Sequence, residues 1–342
     1  MNRFKSILAL IFLLLSSSVY AKEEIKAFFY TTNSVFMEHV KTTLSKMAKQ
    51  RNYTFTFFDA GANSRKQYDQ LRDHISIGDL VVISVSEEDY LEGMLDAARE
   101  HDARVVLFGS SPSANLAKSY DKAWYVGFEI FDSARKQYSL IKKYLNRFPR
   151  YDKNANGALD VVFLQGRENE FPTHVRTQVI LESFEKDGIK VNPLSYNYDD
   201  YSYSLAYEDF SEQLRKYGIE NIEMVISNND SMALGAIKSL NERKYNRPHS
   251  FFNGHRHIPV FGVDGISDAL RSVESGMMTG TAIADNTALS RVIMMIFENA
   301  LSEDFQKIVW YKTEDRTIFI PYREFSKIKD YNAHSHANSR RK

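Results

Sequence analysis

The stretch IKAFFYTTNSVFMEHVKTTLSKMA, residues 25–48, decides the fold class. Its first six residues, 25–30, form a mostly apolar run of the length of one buried strand. Apolar side chains then recur at helical spacing, at Phe36, Met37, Val40, Leu44, Met47 and Ala48. A strand followed by an amphipathic helix is the unit from which parallel sheets with crossover helices are built.

The same alternation continues along the chain. Further strands of a first sheet are predicted at 53–58, 80–85 and 104–108. After a long helical pattern, a second series of strands is predicted at 161–164, 224–227 and 258–263. The sequence therefore predicts an α/β protein with two lobes, each a doubly wound parallel sheet. Ligands of such sheets bind beyond the carboxyl ends of the strands, so the polar residues that follow these runs are candidates for a site.

The beginning of the chain resembles a secretory signal. Arg3 and Lys5 precede an apolar run at 7–15, and a small-residue ending at Ala21 predicts cleavage after residue 21. The apolar run is too short to span a bilayer, which needs about 18 or more apolar residues. A buried helix or a retained anchor is the alternative interpretation of this run. We expect the mature chain to be exported and to be soluble.

Composition excludes several classes of protein. The chain has no cysteine, which excludes disulfides, a cysteine-ligated zinc site and a lipid anchor on cysteine. Removal of Arg3 and Lys5 with the signal leaves 42 basic residues against 44 acidic ones, so nothing suggests binding to nucleic acid. No catalytic motif is present, and we expect no enzymatic activity. The tail 331–342 lacks apolar periodicity and is predicted to be disordered; a metal role for its histidines is the less favoured alternative.

Five segments carry a resemblance to a known family. They are VISNNDSMALG at 225–235, IPVFGVD at 258–264, SYDKAWYVG at 119–127, GT at 280–281 and IPY at 320–322. In this order they resemble the periplasmic galactose/glucose-binding proteins, which are type I periplasmic binding proteins of sugar ABC transporters. The resemblance implies three crossings between the lobes, near Gly127, Ala284-Asp285 and Pro321. It thus implies an N-terminal lobe of 22–127 plus 285–320 and a C-terminal lobe of 128–284 plus 321–330.

The resemblance also implies the residues of a sugar site. Phe36 and Tyr201 match the positions whose rings sandwich the sugar, although the family has Trp where this chain has Tyr201. Arg176, Asn229 and Asp264 match positions that hydrogen-bond hydroxyls, a task that suits guanidinium, amide and carboxylate groups. Each residue has a structural alternative. Phe36 could belong to the core, Asn229 could cap a helix and Asp264 could close a turn.

Several positions depart from the family pattern. The family's acidic residue before Phe36, its asparagine after the fourth strand, its histidine and aspartate ahead of Arg176 and its asparagine near the hinge are replaced here by Ser34, Gly109, Glu170, Pro172 and Ala284. The first lobe has thus lost its main hydroxyl-binding side chains. We expect the fold of the family but a ligand that differs from galactose or glucose in the usual pose.

The segment DKNANGALD, residues 152–160, resembles most of an EF-hand loop. Its oxygen donors would be Asp152, Asn154, Asn156, the carbonyl of Ala158, and Asp160. The glutamate expected at position twelve is absent, and by the family resemblance Glu223 supplies it from a distance. We expect structural Ca²⁺ here. An Asx-rich surface turn without a metal is the alternative.

The leading interpretation is a substrate-binding protein of an ABC sugar transporter. It would bind a monosaccharide between its lobes as a monomer, and present it to an inner-membrane permease or a chemoreceptor. The alternative is a sensor subunit that instructs a membrane kinase or chemoreceptor and has no transport role.

Overall fold

The computed structural model describes residues 23–109, 113–253, 256–299, 310–311 and 313–328. The predicted signal peptide at 1–21 and the predicted disordered tail at 331–342 lie outside these residues. Within them, no helix combines the length and the apolar character that a bilayer crossing requires.

The described chain alternates strands and helices. Its strands are β1 (Glu24–Phe29), β2 (Thr54–Asp59), β3 (Leu80–Val85), β4 (Arg104–Gly109), β5 (Ala123–Phe128), β6 (Leu159–Gln165), β7 (Val191–Tyr198), β8 (Met224–Ser227), β9 (Val260–Asp264), β10 (Gly280–Ile283), β11 (Thr313–Glu314), β12 (Thr317–Ile320) and β13 (Arg323–Ser326). Its helices are α1 (Val35–Gln50), α2 (Ser64–His74), α3 (Leu91–Glu100), α4 (Ser113–Ala117), α5 (Ile130–Arg147), α6 (Phe171–Lys186), α7 (Tyr203–Tyr217), α8 (Asp230–Glu242), α9 (Ser250–Asn253), α10 (Ser267–Glu274) and α11 (Asn286–Asn299).

The strands form two sheets. The first has seven strands in the order β11-β12-β5-β4-β3-β1-β2, and the second has six in the order β13-β10-β9-β8-β6-β7. All neighbours are parallel except the pairs β11–β12 and β10–β13. Helices cover the sheets and bury strands such as β3 completely, as expected of parallel sheets. The predicted fold class, two doubly wound α/β lobes, is confirmed.

The described chain crosses between the sheets at 128–130, at 283–286 and at 320–323. Polar contacts join these crossings. Asp285 accepts the N–H of Ala288 at 2.9 Å, which starts α11, and forms a 3.1 Å ion pair with Arg323. Asp132 of α5 accepts the N–H of Tyr322 at 2.9 Å. Each crossing segment is therefore bonded to another segment of the same hinge.

Sequence patterns missed the edge strand β7. Its residues are half-buried or exposed, and it contains Pro193, which weakens a strand pattern. Its pairing with β6 shifts register between Val161 and Val162, so the strand is locally bulged. β9 begins at Val260 rather than at residue 258, because the side chain of Asn246 binds both the N–H and the carbonyl of Ile258.

Gly109 ends β4 in a conformation that a side chain would disturb. Its φ is +116°, and a Cβ added there would lie 2.2 Å from the carbonyl oxygen of Val85 on the neighbouring strand. The hydroxyl of Tyr125 donates to the carbonyl of Gly109 at 3.0 Å. The backbone therefore excludes the family's asparagine from this position in the present geometry.

We predict that Gly109→Ala is more destabilising than Gly78→Ala. Gly78 has a φ of +79°, and no heavy atom lies within 4 Å of an added Cβ. Gly78→Ala should therefore lower the free energy of unfolding only by the conformational cost of about 1 kcal/mol. Gly109→Ala adds a clash with backbone and should cost about 3 kcal/mol in total. Urea unfolding of both variants measures the difference, and equal losses would contradict the close approach of Val85.

Candidate functional site

A cleft of about 850 Å³ lies between the carboxyl ends of the two sheets. The loop after β1 and the start of α1 form one wall, and the loops after β6 and β7 form most of the other. Its lining residues are Thr32, Asn33, Ser34, Val35, Glu38, His39, Thr42, Arg167, Asp200, Tyr201, Ser202, Tyr203 and Ser231. The cleft thus draws on both lobes, as a ligand that stabilises closure requires.

Arg176 is a buried cation on α6. Its guanidinium donates to the carbonyl of Asn228 at 2.6 Å, to the hydroxyl of Ser133 at 3.2 Å and to the hydroxyl of Tyr322 at 3.5 Å. These contacts join the end of β8, helix α5 and the third crossing. They use three of the five N–H groups that an arginine offers.

Asp264 lies close enough to Arg176 for the two charges to interact. It ends β9 with a φ of +116°, in the left-handed half of conformational space. Burial raises the pKa of Asp264 to about 7, and the Arg176 guanidinium opposes this increase. No hydrogen bond joins the two side chains, so both retain capacity for a third polar group.

Asp230 holds the turn that carries Asp264. Its carboxylate is fully buried and accepts the N–H groups of Gly265 at 2.7 Å and Ile266 at 3.0 Å, and the hydroxyl of Thr281 at 2.7 Å. The sequence analysis did not identify this role of Asp230. Its distant partners, 35 to 51 residues away, have no local signal in the sequence.

Asn229 serves as the N-cap of α8. Its side-chain oxygen accepts the N–H of Met232 at 3.0 Å. This is the capping role that the sequence left open as an alternative. A contact of Asn229 with a ligand stays a prediction, and it would use the amide nitrogen.

Tyr201 lines the cleft from a tight turn. Its φ is +59°, and its ring lies directly over Gly166, where an added Cβ would be 2.0 Å from the ring. Its hydroxyl is 2.9 Å from the hydroxyl of Thr173. Burial raises the pKa of Tyr201 to about 12, so the phenol remains neutral at physiological pH.

Phe36 lies beside the hinge. It packs with Phe128 against a small cluster that includes Val263 and Tyr322, and its ring centroid is 6.3 Å from that of Phe128. The ring of Phe128 is in turn 5.4 Å from that of Tyr322. Phe36 is therefore packed against residues of the second lobe, and its neighbour Val35, not Phe36, is among the residues that line the cleft.

The positions that depart from the family pattern have structural roles here. Ser34 caps α1 by accepting the N–H of Met37 at 3.1 Å. Ala284 is buried in the hinge cluster, and Pro172 lies in the first turn of α6, where a missing N–H costs nothing. Glu170 forms a 2.7 Å ion pair with Arg167.

Arg167 is a cleft residue that the sequence analysis missed. It follows β6, in the position where sheet topology places ligand contacts, but no motif marks it. Arg167 and Glu170 act electrostatically on Tyr30 of the first lobe, whose hydroxyl donates to Glu87 at 2.9 Å. The two lobes therefore approach each other at this side of the cleft.

The predicted calcium loop is a closed network of polar groups. Asn154 and Asn156 both direct their side-chain amides to one oxygen of Asp160, at 2.6 and 2.7 Å. Asp152 accepts the backbone N–H of Gly157 at 2.9 Å. Glu223 reaches the loop from a distance, because it accepts the N–H of Asp160 at 3.0 Å and that of Lys153.

The chemical type of the ligand atoms in this loop suits Ca²⁺. Three carboxylates, two side-chain amides and a carbonyl are hard oxygen donors, and each amide could turn its oxygen inward by a flip that exchanges two nearly identical groups. In the described part of the chain, however, no three acidic or histidine side chains are grouped closely enough to hold a metal by themselves. Binding would therefore require the two asparagines and some rearrangement of the loop.

Comparisons with known proteins agree with this architecture. The D-galactose/methyl-galactoside binding periplasmic protein MglB of Haemophilus influenzae is 26% identical over 310 residues, 90% of this chain and 90% of that protein. An ABC transporter solute binding protein from Bacillus halodurans with bound myo-inositol has a TM-score of 0.69 and 18% identity, over 93% of this chain and 99% of that chain. A solute binding protein from Actinobacillus succinogenes with bound D-allose has a TM-score of 0.68 and 16% identity, over 91% of this chain and 100% of that chain.

The two solved structures share the fold of this chain. A family model described as the periplasmic binding protein domain matches residues 27–304, a span that contains strands of both sheets and the cleft between them. The chain belongs to the periplasmic binding protein family.

Proposed function

We propose that this protein is the substrate-binding subunit of an ABC sugar transporter and closes its lobes around a monosaccharide or a related polyol. The observation that carries the proposal is that the buried Arg176 and Asp264 lie at the strand ends of the second lobe, close enough for their charges to interact. A hydroxyl group can accept from the guanidinium and donate to the carboxylate at once, which suits a polyhydroxylated ligand. Tyr201 adds an aromatic surface for the C–H groups of such a ligand.

The two walls of the cleft suggest how the ligand is oriented. The first lobe contributes the neutral polar groups of Thr32, Asn33 and Ser34, beside the exposed apolar side chain of Val35. The second lobe contributes the charged groups of Arg167 and Asp200, which can bind hydroxyls strongly, whereas Glu38, a charged cleft residue of the first lobe, is already paired with Lys41 at 2.9 Å. The ligand would therefore bind first to the second lobe and be covered by the first.

Relatives differ in their ligands, so the proposal names a class rather than one sugar. The Haemophilus influenzae protein is named for D-galactose, and the two solved structures hold D-allose and myo-inositol; all three compounds have a ring with several hydroxyl groups. The family is periplasmic, and the predicted signal at 1–21 would deliver the chain there. Its partner in this proposal is the permease of the transporter.

We predict that at least one hexose, pentose or cyclic polyol raises the melting temperature and compacts the protein in X-ray scattering. Asp264→Asn should lower the affinity for that ligand by at least about tenfold, because a buried hydroxyl group of the ligand loses its charged acceptor. The same change should not lower the stability of the ligand-free protein, since burial already disfavours the carboxylate.

Asp268→Asn is the matched control. Asp268 is exposed on α10 and pairs with Arg271, so the substitution should leave binding unchanged. No compaction by any compound of a broad library would refute the proposed function. Unchanged affinity in Asp264→Asn would remove Asp264 from the site.

We also propose that the 152–160 loop with Glu223 binds structural Ca²⁺. Millimolar Ca²⁺ should raise the melting temperature by roughly 5–10 °C if it exceeds the dissociation constant about a hundredfold. A chelator should reverse the increase. Glu223→Gln should abolish the calcium-dependent shift, whereas Glu220→Gln, an exposed position just before β8, should keep it. A melting temperature that responds to neither Ca²⁺ nor chelator would leave the Asx-rich turn as the correct interpretation.

A further inference from the structure

The turn that carries Tyr201 is built on a buried carboxyl group. Asp199 has no solvent exposure, and its backbone is fixed by a 2.9 Å bond from its N–H to Gln165 and a 2.7 Å bond from the N–H of Ser202 to its carbonyl. The next two residues, Asp200 and Tyr201, have φ values of +51° and +59°. Two consecutive left-handed residues with a Cβ are unfavourable, so the turn depends on its anchor.

The surroundings of the Asp199 side chain are unusual for a carboxylate. Neither of its oxygens receives a hydrogen bond from an N–H or O–H donor of the described residues. The charged groups that act on it are Asp209 of α7 and Asp200 of the same turn, and both are acidic. An unpaired buried carboxylate is costly, and two carboxyl groups can bond to each other only when one of them holds a proton.

We propose that Asp199 is a positioning residue for Tyr201: its protonated carboxyl group donates a hydrogen bond to Asp209 and holds the turn at the edge of the cleft. Ionisation of Asp199 would replace this bond by repulsion from Asp209 and Asp200. The turn would then loosen, and Tyr201 would lose its fixed place over Gly166. The effect on a ligand rests on the proposed function, but the effect on the turn does not.

The pH range of this effect follows from burial. Burial, with a smaller contribution from Asp209, raises the pKa of Asp199 to about 8, whereas an aspartate in an unfolded chain titrates near 3.9. Between these values the folded protein holds a proton that the unfolded chain has released. The stability contributed by the protonated group is therefore complete below about pH 4, declines as pH rises, and is lost once pH passes about 8.

The first test compares the melting temperatures of the wild type and Asp199→Asn from pH 5 to pH 9.5. Asparagine keeps the shape and can donate to Asp209 without a proton to lose. The melting temperature of the variant minus that of the wild type should increase by roughly 3–8 °C between pH 5 and pH 8. This difference should change little above pH 8.5. Asp209→Asn should show the same trend, and Glu208→Gln, an exposed change on the same helix, should not. A gap that is constant with pH would overturn the proposal.

The second test measures the turn itself by hydrogen exchange of peptides that cover residues 199–206, corrected for intrinsic rates. Protection should fall at least about tenfold between pH 7 and pH 9 in the wild type and stay constant in Asp199→Asn. A widening stability gap without any change of protection in the turn would refute the positioning role.

Ligand titrations with D-galactose, D-allose and myo-inositol at pH 7 and pH 9 separate this proposal from the proposed function. Affinity that falls at pH 9 in the wild type but not in Asp199→Asn supports both the proposed function and the positioning role of Asp199. If none of the three compounds and no member of a broader library binds at either pH, the proposed function fails. The melting temperatures and the hydrogen-exchange measurements then decide the role of Asp199 by themselves.

Discussion

The burial of one cation, the guanidinium of Arg176, is the constraint on which the second lobe and the hinge depend. A charge removed from water must be matched by polar groups, and the chain provides them from four places. Asn228 closes β8, Ser133 lies on the helix after the first crossing, Tyr322 lies in the third crossing, and Asp264 ends β9. The same requirement that orders the strand ends therefore also ties them to the segments that connect the two lobes.

Backbone requirements account for two first-lobe positions at which this chain departs from the family pattern. Gly109 and Ser34 meet backbone demands of the strand end and of the α1 cap. Neither demand concerns a ligand. In the proposed function, Arg167 and Asp200 of the second lobe would bind the ligand first, and closure would add contacts with the uncharged polar groups of Thr32, Asn33 and Ser34. Such a division would favour release, because opening would break few strong bonds.

Periodicity predicted the parts of the fold that are buried on both faces. β3 and β8 were predicted within their observed limits because every residue in them is buried and all but Ser84 and Ser227 are apolar. The edge strand β7 was not predicted, because one side of it faces water and Pro193 interrupts the strand pattern. Family resemblance predicts Arg176 and Asp264 as site residues, and the structure places them close enough for their charges to interact. The roles of Asp230, Arg167 and Asp199 depend on partners distant in the sequence, and neither spacing nor composition contains that information.

The edge strand β7 affects how readily copies of this protein can associate with each other. A free strand edge presents unpaired N–H and carbonyl groups that can join the edge of another molecule. Pro193 removes one donor from β7, and the irregular register between Val161 and Val162 bends the ribbon away from the flat shape that such joining needs. Both features discourage the self-association of copies along this border of the sheet.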